Sequence, residues 1–222
     1  MTFLSELELA FIQNASEANA IPMAKYMKNH FHFFGIKSKL RKEITKAIWK
    51  THIESVKNNV REIGWELFNK REREFHYAAM EILIKELKNN YVKEDINLIE
   101  KLLTTQAWWD SVDLLAKYLL GNYLVQFPEE INRVIGKFSD SENMWLNRSA
   151  ILFQLDYKTK TDSRLLFSIC EKHAASKEFF IQKAIGWALR EYSKTNTEAV
   201  NKFVEQTNLK PLSKKEALKN TI

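Results

Sequence analysis

The chain has 222 residues, of which 45% are hydrophobic and 28% are charged, with only five glycines and three prolines. This length supplies one sizeable core or a short array of repeats, and the scarcity of turn-forming residues argues against an all-β protein and favours helices. The single cysteine excludes an internal disulfide and a thiolate metal cluster, and the net charge of +6 favours polyanionic partners such as nucleic acid.

Apolar residues follow the helical period along nearly the whole chain. The predicted stripes are Leu4, Leu7, Phe11 and Ile12; Leu40, Ile44, Ala47 and Ile48; Phe75, Ala78, Ala79, Ile82 and Leu83; Leu114, Leu115, Tyr118 and Leu119; Leu146, Ser149, Ala150 and Phe153; and Ile181, Ala184, Ile185 and Ala188. Two start signals accompany them: Pro128 is placed for a first helical turn, and Ser213 with Glu216 has capping-box spacing. No Pro- or Ser-rich linker interrupts the pattern, so we predict one α-helical domain over residues 1–222.

A basic cluster follows the loop-like Phe34-Gly35 and opens a helix over residues 37–42. Backbone amides at a helix N-terminus, together with lysines, form a phosphate-binding end. Lysines are disfavoured at a helix N-terminus unless an anion is bound there. We therefore predict that Lys37, Ser38 and Lys42 form a phosphate-binding helix start, with a solvated helix end as the alternative.

Aromatic residues recur at helix starts with a nearly fixed interval, at Phe75, Trp109, Trp145 and Phe180, which are 34, 36 and 35 residues apart. A period near 35 with two helices per unit is typical of HEAT-like arrays, which form curved solenoids. Small residues stand four positions after three of these aromatics, as Ala79, Ser149 and Ala184. Four positions after the remaining aromatic, Trp109, the residue is Asp113.

Trp109 and Asp113 lie four residues apart and so share one face of a helix. A carboxylate beside an indole suits a cationic substrate or a cationic transition state, because both groups stabilise positive charge. The alternative is structural: Asp110 or Ser111 caps a helix and the tryptophans belong to the core. If the helices stack in register, Trp109, Arg148 and Trp187 project into one concavity, with a solvated charge as the alternative for Arg148. Gly186 indicates a close backbone approach there, and helix packing explains this glycine equally well.

Four separated segments resemble the bacterial HEAT-repeat DNA alkylation repair glycosylases of the AlkD type. They are Tyr26–Phe31, Trp108–Asp113, Trp145–Leu155 and Ser176–Trp187, and the resemblance extends over nearly the whole chain. It implies an all-α solenoid whose concave, basic face holds duplex DNA and whose active site excises cationic N3- and N7-alkylated purines without flipping the base. On matching positions it implies that Asp113 is the catalytic carboxylate and that Trp109 and Trp187 flank the lesion's sugar. It further implies a DNA-contacting set of Arg148, Tyr26, Lys37, Ser38, Lys42, Phe179, Phe180 and Arg190.

Two other functions stay open at this point: a non-catalytic DNA-structure binder of the same superfamily, and a HEAT-type scaffold for proteins. We expect no metal and no organic cofactor, because the histidines are scattered and no Gly-rich loop is present. No run of 18 apolar residues and no signal-peptide pattern occurs, and the chain has one cysteine, so we expect no membrane partner and a reducing cytosol. The resemblance implies a monomer in the bacterial cytosol, with duplex DNA as its partner and no obligate protein partner.

Overall fold

A computed structural model describes residues 1–219, which are helical apart from their connections and contain no β-strand, only an isolated bridge between His32 and Glu72. The prediction of an all-α fold of packed helices is confirmed. The chain divides into two compact units, residues 1–90 and 91–222. Because a compact unit need not fold alone, the single domain stays a prediction.

The first unit contains six α-helices. They are α1 (Phe3–Gln13), α2 (Glu17–Tyr26), α3 (Ser38–Thr51), α4 (Ile53–Asn58), α5 (Val60–Phe68) and α6 (Arg73–Glu86). The stripe predicted on α6 is confirmed, since all five of its residues are fully buried. On α1 the stripe is confirmed at Leu7 and Phe11, whereas Ile12 is 54% exposed.

The stripe predicted on α3 is wrong in its register. Leu40 is 41% exposed, and the buried face consists of Arg41, Thr45, Ile48 and Trp49. Arg41 is buried because its guanidinium donates a hydrogen bond of 2.9 Å to Glu81. A pattern that counts only apolar residues does not detect a face that begins with a paired arginine.

The second unit begins with α7 and ends with α15. Its helices are α7 (Asp95–Thr104), α8 (Trp109–Leu114), α9 (Gly121–Gln126), α10 (Ile131–Ser139), α11 (Met144–Leu152), α12 (Ser163–Lys172), α13 (Phe179–Ser193), α14 (Thr197–Gln206) and α15 (Pro211–Ala217). A π-helical segment, Leu115–Leu120, joins α8 to α9, and 3-10 turns occupy Pro128–Glu130 and Lys158–Lys160. Helix α11 packs against α7, α8, α10, α12 and α13, and α13 packs against α14 and α15.

The stripes predicted on α11 and α13 are buried throughout and so are confirmed. Of the stripe predicted over residues 114–119, Leu115 and Leu119 in the π-helical segment are buried, but Leu114 at the end of α8 is 38% exposed. Pro128 does begin a helical turn. Ser213 lies inside α15, whose N-cap is Lys210, so the predicted capping box is wrong.

None of the helices within residues 1–219 has the length and apolar character needed to cross a membrane.

Candidate active site

The centre of the candidate site is an ion pair between Asp113 on α8 and Arg148 on α11. Arg148 Nε donates to Asp113 Oδ1 at 2.7 Å, and Arg148 Nη2 donates to Asp113 Oδ2 at 2.9 Å. The guanidinium and the carboxylate therefore meet edge to edge, in the bidentate geometry that fixes both the position and the orientation of a carboxylate. The two residues are 35 positions apart, one fewer than the interval from Trp109 to Trp145.

The pair is largely removed from solvent, because 5% of the Arg148 side chain and 16% of the Asp113 side chain are exposed. Burial raises the pKa of the Asp113 carboxyl above its ordinary value, and the hydrogen bonds and charge of Arg148 oppose that rise. Both carboxylate oxygens accept from a permanent cation, which is the arrangement of an ionised carboxylate. The carboxylate is thus held in a fixed orientation where solvent screening is weak, and the guanidinium balances its charge.

Three aromatic rings form a cluster beside Arg148, whose Cζ lies 6.0 Å from the centroid of the Phe180 ring. Trp108, Trp145 and Phe180 contact one another, with ring centroids 5.7 Å apart for the two tryptophans and 5.3 and 5.1 Å from each of them to Phe180. The carbonyl oxygen of Phe180 also accepts a short hydrogen bond from Arg148 Nη1. These rings hold the starts of α8, α11 and α13 together, so the cluster fixes the helices that carry the ion pair.

Local sequence explains the start of α11. Asn143 is the N-cap, and its side-chain oxygen accepts from the backbone N–H of Trp145 at 2.9 Å. The hydroxyl of Ser149 then donates back to the carbonyl of Trp145 at 2.8 Å. Ser149 is fully buried, as are Ala79 and Ala184 at the same repeat position. Asp113 is the one member of the set that is a charged residue and is partly exposed.

The two predicted indoles lie on the helices that flank α11. Trp109 is the first residue of α8 and Trp187 lies in the middle of α13, and both side chains are half-buried. Phe179, which precedes Phe180, is 56% exposed. The structure brings Asp113, Arg148 and Phe180 into direct contact, and it leaves parts of Trp109, Trp187 and Phe179 accessible.

Arg190 is held by the C-terminal helix α15. Its Nη1 donates to Glu216 Oε2 at 2.7 Å and to the Glu216 carbonyl oxygen at 3.1 Å. Lys183 donates to the other carboxylate oxygen at 2.8 Å. The two cations lower the pKa of Glu216 to about 2. Sequence reasoning paired Glu216 only with Ser213 and missed this contact, because the sequence gives no signal that brings α15 onto α13.

The remaining predicted DNA contacts lie in the first unit. Tyr26 ends α2 and is 69% exposed, and Lys37, Ser38 and Lys42 at the start of α3 are all exposed. The side chains at this helix end are accessible, as their predicted role requires.

The backbone amides just before α3 bind a side chain of the protein itself. Glu74 is fully buried and accepts from the N–H groups of Phe34, Gly35 and Ile36 at 2.9–3.1 Å. Gly35 has a φ of +86°, and a Cβ there would lie 2.0 Å from the Ser16 carbonyl oxygen, so only glycine fits. Glu74 therefore binds the amides that precede the basic helix start and keeps that segment in place.

The described residues offer little for other chemistry. Within residues 1–219, no group of three or more His, Cys, Asp or Glu could hold a metal ion. Cys170 is completely buried, and burial raises the pKa of its thiol. A nucleophilic thiolate needs a lowered pKa and access to solvent, and Cys170 has neither.

In the second unit, α-helices pack around a largely buried carboxylate–guanidinium pair, and half-buried indoles lie on two of these helices. A family model described as DNA alkylation repair enzyme matches residues 7–221. The chain therefore belongs to the family of DNA alkylation repair enzymes. Membership of this family supports an enzymatic role in the repair of alkylated DNA.

A solved structure agrees with this assignment. The chain is similar to a predicted DNA alkylation repair enzyme from Enterococcus faecalis, with 32% sequence identity and a TM-score of 0.86 over 93% of this chain and 96% of that one. No curated protein matches the chain.

Proposed function

We propose that this protein is a monofunctional DNA glycosylase that excises cationic N3- and N7-alkylated purines from duplex DNA, the first step of base excision repair. The observation that carries the proposal is the Asp113–Arg148 pair, which holds a carboxylate in fixed orientation in a largely buried site. Family membership supports the substrate class. The two half-buried indoles support the kind of transition state that the site stabilises.

The proposed reaction needs no general acid. An N3- or N7-alkylpurine carries a positive charge, so when the bond between C1′ and the purine nitrogen breaks, the electron pair moves to the base and neutralises it. The positive charge passes to the deoxyribose as an oxocarbenium ion. Water then adds to C1′ and releases one proton, which leaves an abasic site and the free base.

Asp113 is proposed to stabilise this sugar cation and to orient the attacking water. A fixed carboxylate stabilises the developing charge more than it stabilises the ground state, and it undergoes no reorganisation during the reaction. Trp109 and Trp187 would add cation–π stabilisation of roughly 0.5–2 kcal/mol each. Because the charge on the sugar is what the site recognises, the base can stay stacked in the duplex.

Arg148 is proposed to act twice. Its bidentate contact keeps the Asp113 carboxylate in place, and its remaining N–H groups contact a phosphate beside the lesion. A guanidinium has five N–H groups, of which Asp113 and the Phe180 carbonyl bind three. The two that remain are the donors proposed to reach a phosphate oxygen, through the 5% of the side chain that is exposed.

DNA contacts are proposed in each unit taken by itself. Those of the first unit are Tyr26, Lys37, Ser38 and Lys42, and those of the second unit are Arg148, Phe179, Phe180 and Arg190. Contacts of lysine and arginine with phosphate position the duplex without reading its sequence. We propose no metal and no cofactor for the reaction.

The test is release of free base from defined duplexes that contain either 7-methylguanine, 3-methyladenine or neutral hypoxanthine. We expect release of the two cationic bases and retention of hypoxanthine, which leaves poorly without protonation. Excision of hypoxanthine at a comparable rate would contradict the mechanism, because it requires an acid and a base-binding pocket. Salt-dependent duplex binding without any base release would instead favour a DNA-structure binder, and absence of such binding would favour a protein scaffold.

A further inference from the structure

The C-terminal helix α15 lies against α13 at Gly186, the residue that precedes Trp187. A Cβ built on Gly186 would be 2.4 Å from the Cβ of Glu216 and 2.9 Å from the carbonyl oxygen of Ser213. Only glycine permits this approach without a shift of one helix. Ser213 and Ala217, on the inner face of α15, are fully buried. The contact between the two helices is therefore tight on both sides of Glu216.

The Glu216 carboxylate binds one cation on each side of Trp187. Lys183 contacts Oε1 at 2.8 Å and Arg190 contacts Oε2 at 2.7 Å. Positions 183, 187 and 190 are spaced i, i+4 and i+7, so the three side chains share one face of α13. Only 13% of the Glu216 side chain is exposed.

We infer that Glu216 is a positioning residue for Trp187, which rests on the proposed role of that indole in the glycosylase reaction. The side chain of Glu216 lies over Gly186 and binds the residues at both ends of the shared face. Because both ion pairs hold it there, the Glu216 side chain fills the space between α15 and Trp187. The indole of Trp187 is then confined to the side that faces away from α15. Helix α15 thus sets the direction in which one of the two cation-stabilising rings points.

A competing role for Glu216 makes the opposite prediction. A carboxylate that neutralises Lys183 and Arg190 could instead mask them from DNA phosphate. In that case removal of the charge strengthens duplex binding and leaves both the excision rate of the bound complex and the environment of Trp187 unchanged. Positioning predicts a slower reaction of the bound complex and a changed environment of the indole.

The experiment compares wild type with Glu216→Gln, which keeps the side-chain size, and with the milder Lys183→Gln. The matched control is Glu191→Gln, which removes a partly exposed carboxylate of α13 that pairs with Lys194 just beyond the helix end. Trp187 is observed as the difference in acrylamide quenching between each protein and its Trp187→Phe counterpart. This readout needs no substrate, so it tests the positioning even if the proposed activity fails.

We expect greater quenching of Trp187 in Glu216→Gln, a smaller increase in Lys183→Gln and none in the control. With enzyme in excess over 7-methylguanine duplex, the excision rate of Glu216→Gln should fall about fivefold, since small displacements of a catalytic group are costly. In a Trp187→Ala background the same substitution should cost nothing further, because the group it positions is gone. Unchanged quenching, or an equal loss of rate in both backgrounds, would overturn the inference.

Discussion

At the scale of single residues, the candidate site depends on how one carboxylate is held. Asp113 is partly exposed and its partner Arg148 is buried, so the pair presents the carboxylate towards solvent from a rigid base. The geometry is bidentate, which lysine cannot reproduce. A carboxylate held in this way loses little entropy when a cation forms beside it.

Replacement of Arg148 by Met should shift the pH dependence of excision. Burial already raises the pKa of Asp113, and the substitution removes the hydrogen bonds and charge that oppose the rise. Because Asp113 is proposed to act in its ionised form, the acid limb of the single-turnover profile should move to higher pH. Arg148→Lys, which keeps the charge, should show a smaller movement. An acid limb at the same pH in Arg148→Met would show that Arg148 does not control the ionisation of Asp113.

At the scale of helices, the segment that carries Trp109 and Asp113 continues through a π-helical turn into α9. π-Helical turns are uncommon and occur often at functional sites. The turn ends at Gly121, whose carbonyl oxygen accepts from the Tyr157 hydroxyl at 2.7 Å. A Cβ on Gly121 would lie 2.6 Å from the carbonyl oxygen of Phe153. This close approach anchors the helix of Asp113 to the chain that follows α11.

Gly121→Ala should lower the free energy of unfolding by about 1–3 kcal/mol, because the added methyl group collides with backbone that cannot move aside. Gly136→Ala in α10 is the matched control, since a Cβ there meets nothing within 4 Å. It should raise stability by about 0.5–1 kcal/mol through its better helix propensity. Urea unfolding of both variants measures the two values. Equal effects of the two substitutions would contradict the close approach at Gly121.

The contact between α13 and α15 should contribute stability that depends on pH. Lys183 and Arg190 lower the pKa of Glu216 to about 2 from an ordinary value of 4.5. A carboxyl with a lowered pKa in the folded state stabilises the protein fully above its unfolded pKa, and this contribution is lost as pH falls from about 5 towards 2. Glu216→Gln should therefore show a weaker acid dependence of unfolding than wild type. The same acid dependence in both proteins would rule out this contribution.

The sequence predicts some of these elements well and others poorly, for physical reasons. Stripes whose buried members are all apolar, such as those of α6, α11 and α13, can be read directly from the helical period. The face of α3 cannot, because Arg41 is buried through a partner 40 residues away. The predicted capping box at Ser213 failed because Pro211 already begins the helix. Local patterns do not contain tertiary contacts of this kind.

The pairing of Asp113 with Arg148 lies between these cases. The sequence predicts Asp113 as the catalytic carboxylate and Arg148 as a phosphate contact, but it does not predict that the two residues form an ion pair. Arg148 directly precedes Ser149, the repeat equivalent of Asp113, so the periodicity places the two residues on corresponding repeat helices but does not predict that their side chains pair. The repeat interval relates Trp109, Trp145 and Phe180. In the observed cluster, Trp108, which directly precedes Trp109, contacts Trp145 and Phe180.

At the scale of the whole molecule, charge and composition agree with the proposed partner. The net charge of +6 on an all-helical chain favours a polyanion, and the family assignment supports alkylated DNA. Phosphate contacts of this kind should give non-specific duplex binding that weakens steeply with salt. Selectivity for damage then has to come from the lesion's own positive charge and from the fixed carboxylate.

The most direct test of the account is single-turnover release of 7-methylguanine by Asp113→Asn, with duplex affinity measured on the same preparation. We expect excision to fall by about two orders of magnitude or more, since the carboxylate stabilises charge that exists only in the transition state, while affinity for the duplex is retained. Asp156→Asn, which removes a carboxylate from a surface pair with Lys117, is the control and should behave as wild type. A near-wild-type excision rate in Asp113→Asn would contradict the central claim.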